Sequence, residues 1–518
     1  MAPAPASKKL YPDLFGGRGK KITIQSGQRP KTTAVPPNPF LQRTASINTP
    51  SRSQGLPTRK LLPSGNSRPL KRKWETPDDK LLKHVAKKRA SAEAPRLSSE
   101  EEDSDDDNGG STGPSSKRGR STATSAEPEP ETGGRAWYLI DQNIEDDGTF
   151  NLIHSADHTS GLRASKFKPC FEGSDSGPEI ELQYPGVSLR ERFKLVKGDQ
   201  YDAHEDIYTT IEHICANFLP PTSVEAYQDN SFKRRLIRAH KKESLAEYRA
   251  VIAEFNATVS RAKQDGTMAA VAAAKRRLHK DLVQRILDQV YSRTVSPRVE
   301  LTRAYTNGTD NVYGELHAPF ISAIFAKTGL THSDTFVDLG SGVGNVVLQA
   351  ALEIGADALG CEMMANPCEL ADAQEAEFGA RARLWGVDVG ATHLLRGDFL
   401  DNRQIGDALK RADVVLVNNQ AFNPDLNAHL VTRFLDLKEG ARVVSLKPFV
   451  PLGHELLERN VNDPVNLLLP WRGEELFSGT GAVSWTGQSV DWHVATKDSK
   501  RVERFLETLE KGRPRRRG

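Results

Sequence analysis

A chain of 518 residues has room for roughly three domains of about 150 residues each. With 37% hydrophobic residues and a negative mean hydropathy, much of it falls outside any core. Net charge is only +3, but the charges are segregated into basic and acidic blocks. The four cysteines (Cys170, Cys215, Cys361, Cys368) show no Cys-x-x-Cys spacing, which argues against a zinc site or a disulfide framework and fits a reducing compartment. No apolar run approaches the roughly 18 residues of a membrane span. The N-terminus also lacks the hydrophobic stretch of a secretory signal. A soluble, intracellular protein without metal is expected.

Residues 1–133 are dominated by Pro, Ser, Thr, Gly and charge, and their apolar residues follow no period. Such a segment cannot bury enough apolar surface to offset its ordering entropy, so a disordered tail is expected. It carries basic clusters at Lys20-Lys21, Lys71-Arg72-Lys73, Lys87-Lys88-Arg89 and Lys117-Arg118-Gly119-Arg120, interrupted by an acidic run from Glu100 to Asp107. Nuclear import and contact with DNA phosphates are the functions such clusters suit. Order is expected from Trp137-Tyr138-Leu139-Ile140 onward. A mainly helical part, 134–300, follows, with a helix around Ile207 to Phe218. A second helix carries Leu245, Tyr248, Ile252, Phe255 and Val259 on one face. A third carries Leu278, Leu282, Ile286 and Val290 and stops before Pro297.

From residue 301 to 510 strands and helices alternate, which predicts a doubly wound α/β fold with a parallel sheet. The predicted strands are Thr335–Leu339, Ala358–Glu362, Asp413–Asn418 and Arg442–Leu446. Ala482–Thr486 and Val490–Ala495 flank Gly487 and predict an antiparallel hairpin. Residues 511–518 form a second basic tail, with Arg513-Pro514-Arg515-Arg516-Arg517.

Chemistry concentrates at the strand ends, where doubly wound sheets bind ligands. Thr335-Phe336-Val337-Asp338-Leu339-Gly340-Ser341-Gly342-Val343-Gly344-Asn345 reads as a buried strand turning sharply onto a helix. The glycines let backbone amides approach a ligand closely. The Asp-x-Gly-x-Gly-x-Gly spacing lacks the last glycine position of the dinucleotide fingerprint. It is similar instead to the first motif of the class I methyltransferases, which bind S-adenosylmethionine. Glu362, about twenty residues beyond the loop, is placed to accept ribose hydroxyls. Asp398 could accept an adenine amino group while Phe399 packs on the ring, although taken alone the phenylalanine reads as ordinary core. The amides of Asn418-Asn419, ahead of Gln420-Ala421-Phe422-Asn423-Pro424, would suit orientation of an amine nucleophile or, alternatively, a capped turn.

Several segments together resemble the histone H3 lysine-79 methyltransferases, the disruptor-of-telomeric-silencing family, in fungal form. They are Ile286–Tyr291, Val312-Tyr313-Gly314-Glu315-Leu316, the glycine loop, Cys361-Glu362, Gly397-Asp398-Phe399, Asn418–Phe422, Ser445–Phe449 and Val483-Ser484-Trp485-Thr486-Gly487. The resemblance implies a non-SET lysine methyltransferase: a class I, Rossmann-like sheet preceded by a helical subdomain and a long tail. Tyr313, Gly314, Glu315 and Leu316 would cover the methionine end of S-adenosylmethionine. Phe336 to Asn345 would wrap its backbone, Glu362 would hold the ribose, and Asp398 with Phe399 the adenine. Asn418 and Phe422 would line a lysine channel completed by Trp485 and Trp492, the latter where the family has tyrosine. Gln420 and Asn423 also depart from animal members. The substrate implied is the intact nucleosome, in the nucleus, with H4, ubiquitinated H2B and DNA as further partners of a monomeric enzyme. Roles in chromatin silencing and the DNA-damage checkpoint are implied with it. The alternatives are a class I nucleic-acid amino-methyltransferase and a non-catalytic chromatin-binding protein. A nicotinamide-dependent dehydrogenase fits the glycine spacing least.

Overall fold

The computed structural model describes residues 137–138, 151–172, 177–198, 200–221, 231–303, 314–471, 475–477 and 481–512. The expected tail over 1–133, Leu139-Ile140, Tyr313 and Arg513 to Arg517 lie outside the described residues.

In the helical part, a short helix at Ser155–His158 precedes an antiparallel hairpin, β1 (Glu179–Gln183) with β2 (Arg190–Lys194). Helix α1 (Ala203–Phe218) follows, started by the Asp202 carboxylate, which accepts from the His204 and Glu205 amides. Helices α2 (Phe232–Lys241), α3 (Leu245–Gln264), α4 (Thr267–Ala273) and α5 (Lys280–Thr294) complete it. Tyr248, Ile252, Phe255 and Val259 of α3 are buried at the spacing the sequence predicted, as are Leu282, Ile286 and Val290 of α5.

Helix α6 (Ala318–Thr328) leads into β3 (Thr335–Leu339) and then α7 (Asn345–Gln349), which runs on as a π-turn over Ala350–Ile354. The chain continues through β4 (Asp357–Glu362), α8 (Ala365–Trp385), β5 (Thr392–Arg396), α9 (Arg403–Arg411), β6 (Val414–Val417), α10 (Pro424–Arg433) and β7 (Arg442–Ser445). Strands β8 (Leu468–Pro470), β9 (Glu475–Phe477) and β10 (Val490–Lys497) and helix α11 (Ser499–Gly512) close it.

The sheet order is β8-β10-β7-β6-β3-β4-β5, with β9 on the free part of β10. Strands β3 to β7 are mutually parallel, and β10 runs antiparallel between β7 and β8. The order reverses between β3 and β6, which opens a crevice at their carboxyl ends.

Residues alternate between two cores, as a pleated strand requires. Phe336, Val414 and Leu416 join one cluster, and Val337, Leu339, Val415 and Val417 join the other. The first cluster also takes in Ile207, Phe255 and Ile286, so helices before residue 300 and one sheet face share a core.

A buried ionic network reinforces that junction. Arg293 of α5 reaches Glu191 at 3.1 Å and Asp206 at 2.5 Å. Arg381 of α8 pairs with Glu191 and Glu377, each at 2.6 Å. Arg285 also binds Asp206. Gln289 links Tyr184 at 3.0 Å to Trp385 at 2.8 Å. Burial opposes ionisation of Glu191, yet Arg381 and Arg293 outweigh it and hold the carboxyl below its ordinary value.

The expected late hairpin does not form. Strand β10 is present, but Ala482–Thr486 is not a strand, and Val483 makes an isolated bridge to Leu316 instead. The reason is tertiary: β10 already pairs with β7 on one edge and with β8 and β9 on the other.

Candidate active site

The cleft over the carboxyl ends of β3, β4 and β6 has a cavity volume of about 290 Å³. The glycine turn forms its floor. Gly340, Gly342 and Gly344 have φ of 91°, 56° and 91°, a region hostile to other residues. A Cβ on Gly344 would also stand 2.6 Å from Leu394. Gly340 and Ser341 donate their amides to the Cys361 carbonyl, both at 3.0 Å, fixing the turn to β4. Gln374 of α8, fully buried, donates to the Val343 carbonyl at 2.6 Å and to Asn345 at 3.0 Å.

Glu362 ends β4 as the sequence predicted. Its two carboxylate oxygens accept from the Gly342 amide at 3.0 Å and the Met364 amide at 2.7 Å. Each oxygen keeps a lone pair for a ligand hydroxyl. Asp338 is only 3% exposed, and among the described residues no donor reaches its carboxylate. Burial, then the charge of Glu362, pushes it up to about 7. Asp398 accepts the Leu400 amide at 2.8 Å, while Phe399 and Phe422 stack with centroids 6.2 Å apart.

The two asparagines at the end of β6 divide sharply. Asn419 is buried and saturated: its amide donates to Asn427 and the Lys447 carbonyl and accepts from the Leu446 and Lys447 amides. Asn418 lines the cleft, donates to the Gly314 carbonyl at 3.3 Å, and leaves its Oδ1 buried without a partner. Asn423 caps α10 by accepting the Leu426 amide at 2.8 Å.

Gly314, Glu315 and Leu316 form the opposite wall, strapped down by the 481–484 segment. Glu315 exchanges two 2.9 Å bonds with Ser484, and His317 donates its amide to the Ala482 carbonyl at 2.8 Å.

Of the sequence-predicted residues, Gly314, Glu315, Leu316, Asp338, Gly340, Ser341, Gly342, Val343, Asn345, Glu362, Asp398, Phe399, Asn418 and Phe422 line this cleft. Phe336, Val337, Leu339 and Gly344 lie behind it as buried support. The two tryptophans expected to complete a lysine channel stand outside the lining of this cleft. Trp492 is buried edge-on to Phe320 with centroids 5.8 Å apart, drawn inward by the β10 pairing. Trp485 is 41% exposed and packs over Gly314, outside the cleft lining. Sequence reasoning missed Val346, Met363, Met364, Leu416 and Leu426. The methionine pair directly after the predicted strand end at Glu362 was the available signal.

Among the described residues, the wall carries four carboxylates (Glu315, Asp338, Glu362, Asp398) and no Lys, Arg or His. A pyrophosphate would be repelled there, whereas a ligand with cationic groups and a ribose fits.

With a reversed strand inserted beside β7 and the ligand cleft at the switch point, this is the class I methyltransferase fold. Residues 291–497 match the family model described as "Histone methylation protein DOT1". Curated relatives named "Histone-lysine N-methyltransferase, H3 lysine-79 specific" include one from Aspergillus fumigatus, 50% identical over 69% of this chain and 72% of its own. Another, from Emericella nidulans, is 48% identical over 76% and 78%. One from Yarrowia lipolytica is 37% identical over 66% and 70%. The chain belongs to this histone methylation family. Among solved structures, an RNA methyltransferase from Salinibacter ruber in complex with S-adenosyl-L-homocysteine aligns at 20% identity over 36% of this chain and 94% of that one. Its TM-score of 0.25 is too weak an overlap to bear on function.

Proposed function

We propose that this protein transfers methyl groups from S-adenosylmethionine to lysine-79 of histone H3 in nucleosomes, acting on chromatin in the nucleus. Family membership supports the reaction and its target, since the curated relatives carry that activity in their names. The observation that carries the site assignment is the unpartnered, buried Oδ1 of Asn418 on the cleft wall. A buried acceptor without a donor costs about 1–3 kcal/mol, and an incoming amine N–H removes that cost.

The chain's own groups divide the work. Glu362 holds ribose hydroxyls, Asp398 and the Phe399 ring hold adenine, and Asp338 with Glu315 faces the cationic groups. When bound, S-adenosylmethionine supplies the electrophilic methyl. Asn418 accepts from the lysine amine and thereby points its lone pair at that methyl, while Phe422 excludes water. A free lysine has a pKa of about 10.4, and an apolar channel disfavours its charged form. Positioning and desolvation therefore do more than a dedicated base. The helical part (134–300) and the core (301–510) act as one catalytic unit, and the basic segments engage nucleosomal DNA.

The test offers labelled S-adenosylmethionine to the full chain with nucleosomes, free H3 and naked DNA in parallel. Label entering H3 only in nucleosomes is expected; label in naked DNA instead would move the assignment to a nucleic-acid amino-methyltransferase. Asn418→Ala should keep S-adenosylhomocysteine binding and lose transfer on the order of a hundredfold. Full activity in that variant would remove Asn418 from the site.

A further inference from the structure

One buried amide reaches the glycine turn from behind the cleft. Gln374 lies on α8, 1% exposed, on the same helix face as Glu377 and Arg381 of the ionic network. A buried amide is costly unless its polar atoms are matched. Its Nε2 lies 2.6 Å from the Val343 carbonyl and 3.0 Å from Asn345 Oδ1. A carbonyl only accepts, so the atom facing Val343 has to be the Gln374 NH2, and its second N–H then requires an acceptor at Asn345. The Asn345 amide is thereby turned with Oδ1 toward Gln374, and its Nδ2 is left over. Asn345 lines the ligand cleft, and no protein acceptor among the described residues takes that Nδ2.

Asn345 belongs to one end of the cleft. A second cleft, of about 440 Å³, is lined by Glu315, Leu316 and Asn345 as well, which puts Asn345 near the 314–316 wall. The amino-acid end of S-adenosylmethionine carries a carboxylate, which the four wall carboxylates repel. Among the described lining side chains, neutral donors are confined to Ser341, Asn345 and Asn418, and Asn418 already donates to the Gly314 carbonyl. We propose that Gln374 is a positioning residue for cofactor binding: it turns the Asn345 amide so that Nδ2 faces the ligand carboxylate. The inference rests on the cofactor reading above. Without Gln374 the Asn345 amide would be free to rotate and present its oxygen to that anion.

Gln374→Met removes both donors and keeps much of the side-chain length. Calorimetric titrations compare S-adenosylhomocysteine with methylthioadenosine, which keeps the adenosine and lacks the amino-acid end. They use the full chain, the Gln374→Met and Asn345→Ala variants and the double variant. Initial rates on nucleosomes are measured across S-adenosylmethionine concentration, with Tm alongside. In Gln374→Met, the Kd for S-adenosylhomocysteine and the KM for cofactor should rise about tenfold, while the Kd for methylthioadenosine stays within about twofold. The kcat at saturating cofactor should also hold within about twofold. In the Asn345→Ala background, Gln374→Met should add less than about twofold. Asn345→Asp still accepts from Gln374 but offers the ligand no donor. It should reproduce the selective loss with Gln374 in place, whatever the folding of Gln374→Met. Equal weakening of both ligands would reduce Gln374 to a support of the turn and overturn the role, as would equal losses in both backgrounds. Wild-type binding of S-adenosylhomocysteine with an unaltered Gln374→Met or Asn345→Asp variant sinks this role alone. Absence of wild-type binding sinks the cofactor reading, and this inference falls with it.

Discussion

Two adjacent asparagines leave the same strand end, and only their hydrogen bonds distinguish them. Asn419 spends its amide on β7 and α10, whereas Asn418 keeps an acceptor for a ligand. Strand-end position located the pair and the family resemblance singled out Asn418, but the bonds that divide the two run to Lys447 and Gly314, which are remote in the chain. Asp338 adds a titration. Its carboxyl is held up to about 7 by burial and Glu362, so the ligand-free protein keeps a proton there that the unfolded chain releases near pH 3.8. Between those values the ligand-free protein loses stability as pH rises. Cationic ligands need the carboxylate, so their affinity should instead fall as pH drops below about 7, by up to tenfold per unit. S-adenosylhomocysteine titrations from acidic to mildly alkaline pH test this. Asp338→Asn should bind weakly with a flat profile, and an unchanged slope in that variant would exclude Asp338 as the titrating group.

At the scale of elements, α5 carries more than its length suggests. Arg293, Gln289 and Arg285 brace it against α1, the β1–β2 hairpin and α8. Arg293→Met leaves Glu191 and Asp206 short of a cation in a site that excludes water. Guanidinium unfolding should show a loss of about 3–5 kcal/mol. A loss below about 1 kcal/mol would mean that Arg285 and Arg381 compensate. The sequence pattern made α3, α5, β3 and β6 legible, since buried faces at regular spacing need no partner to be seen. Strand β5 escaped because it is a sheet edge with half-exposed residues, and β8 and β9 because they are three residues each. The false hairpin shows the limit of local turn logic. Gly487 invites a turn, yet the pairing capacity of β10 is taken by strands far from it.

For the whole molecule, charge is arranged by region rather than by total. The tail over 1–133 holds basic clusters, whereas the described cleft is acidic. Nucleosomal DNA and the lysine amine would thus be met by different parts of the chain. Deleting residues 1–133 should weaken nucleosome methylation and flatten its salt dependence, because fewer counterions are released on binding. Rates of the full and shortened chains across a salt series decide this, and parallel slopes would refute it. The acidic wall has a bearing on turnover as well. Glu315, Asp338, Glu362 and Asp398 attract positive charge, and methyl transfer takes one positive charge off the sulfur. Carboxylates that held a charged methyl donor here would grip its spent form less tightly, which would favour clearing the cleft for the next round.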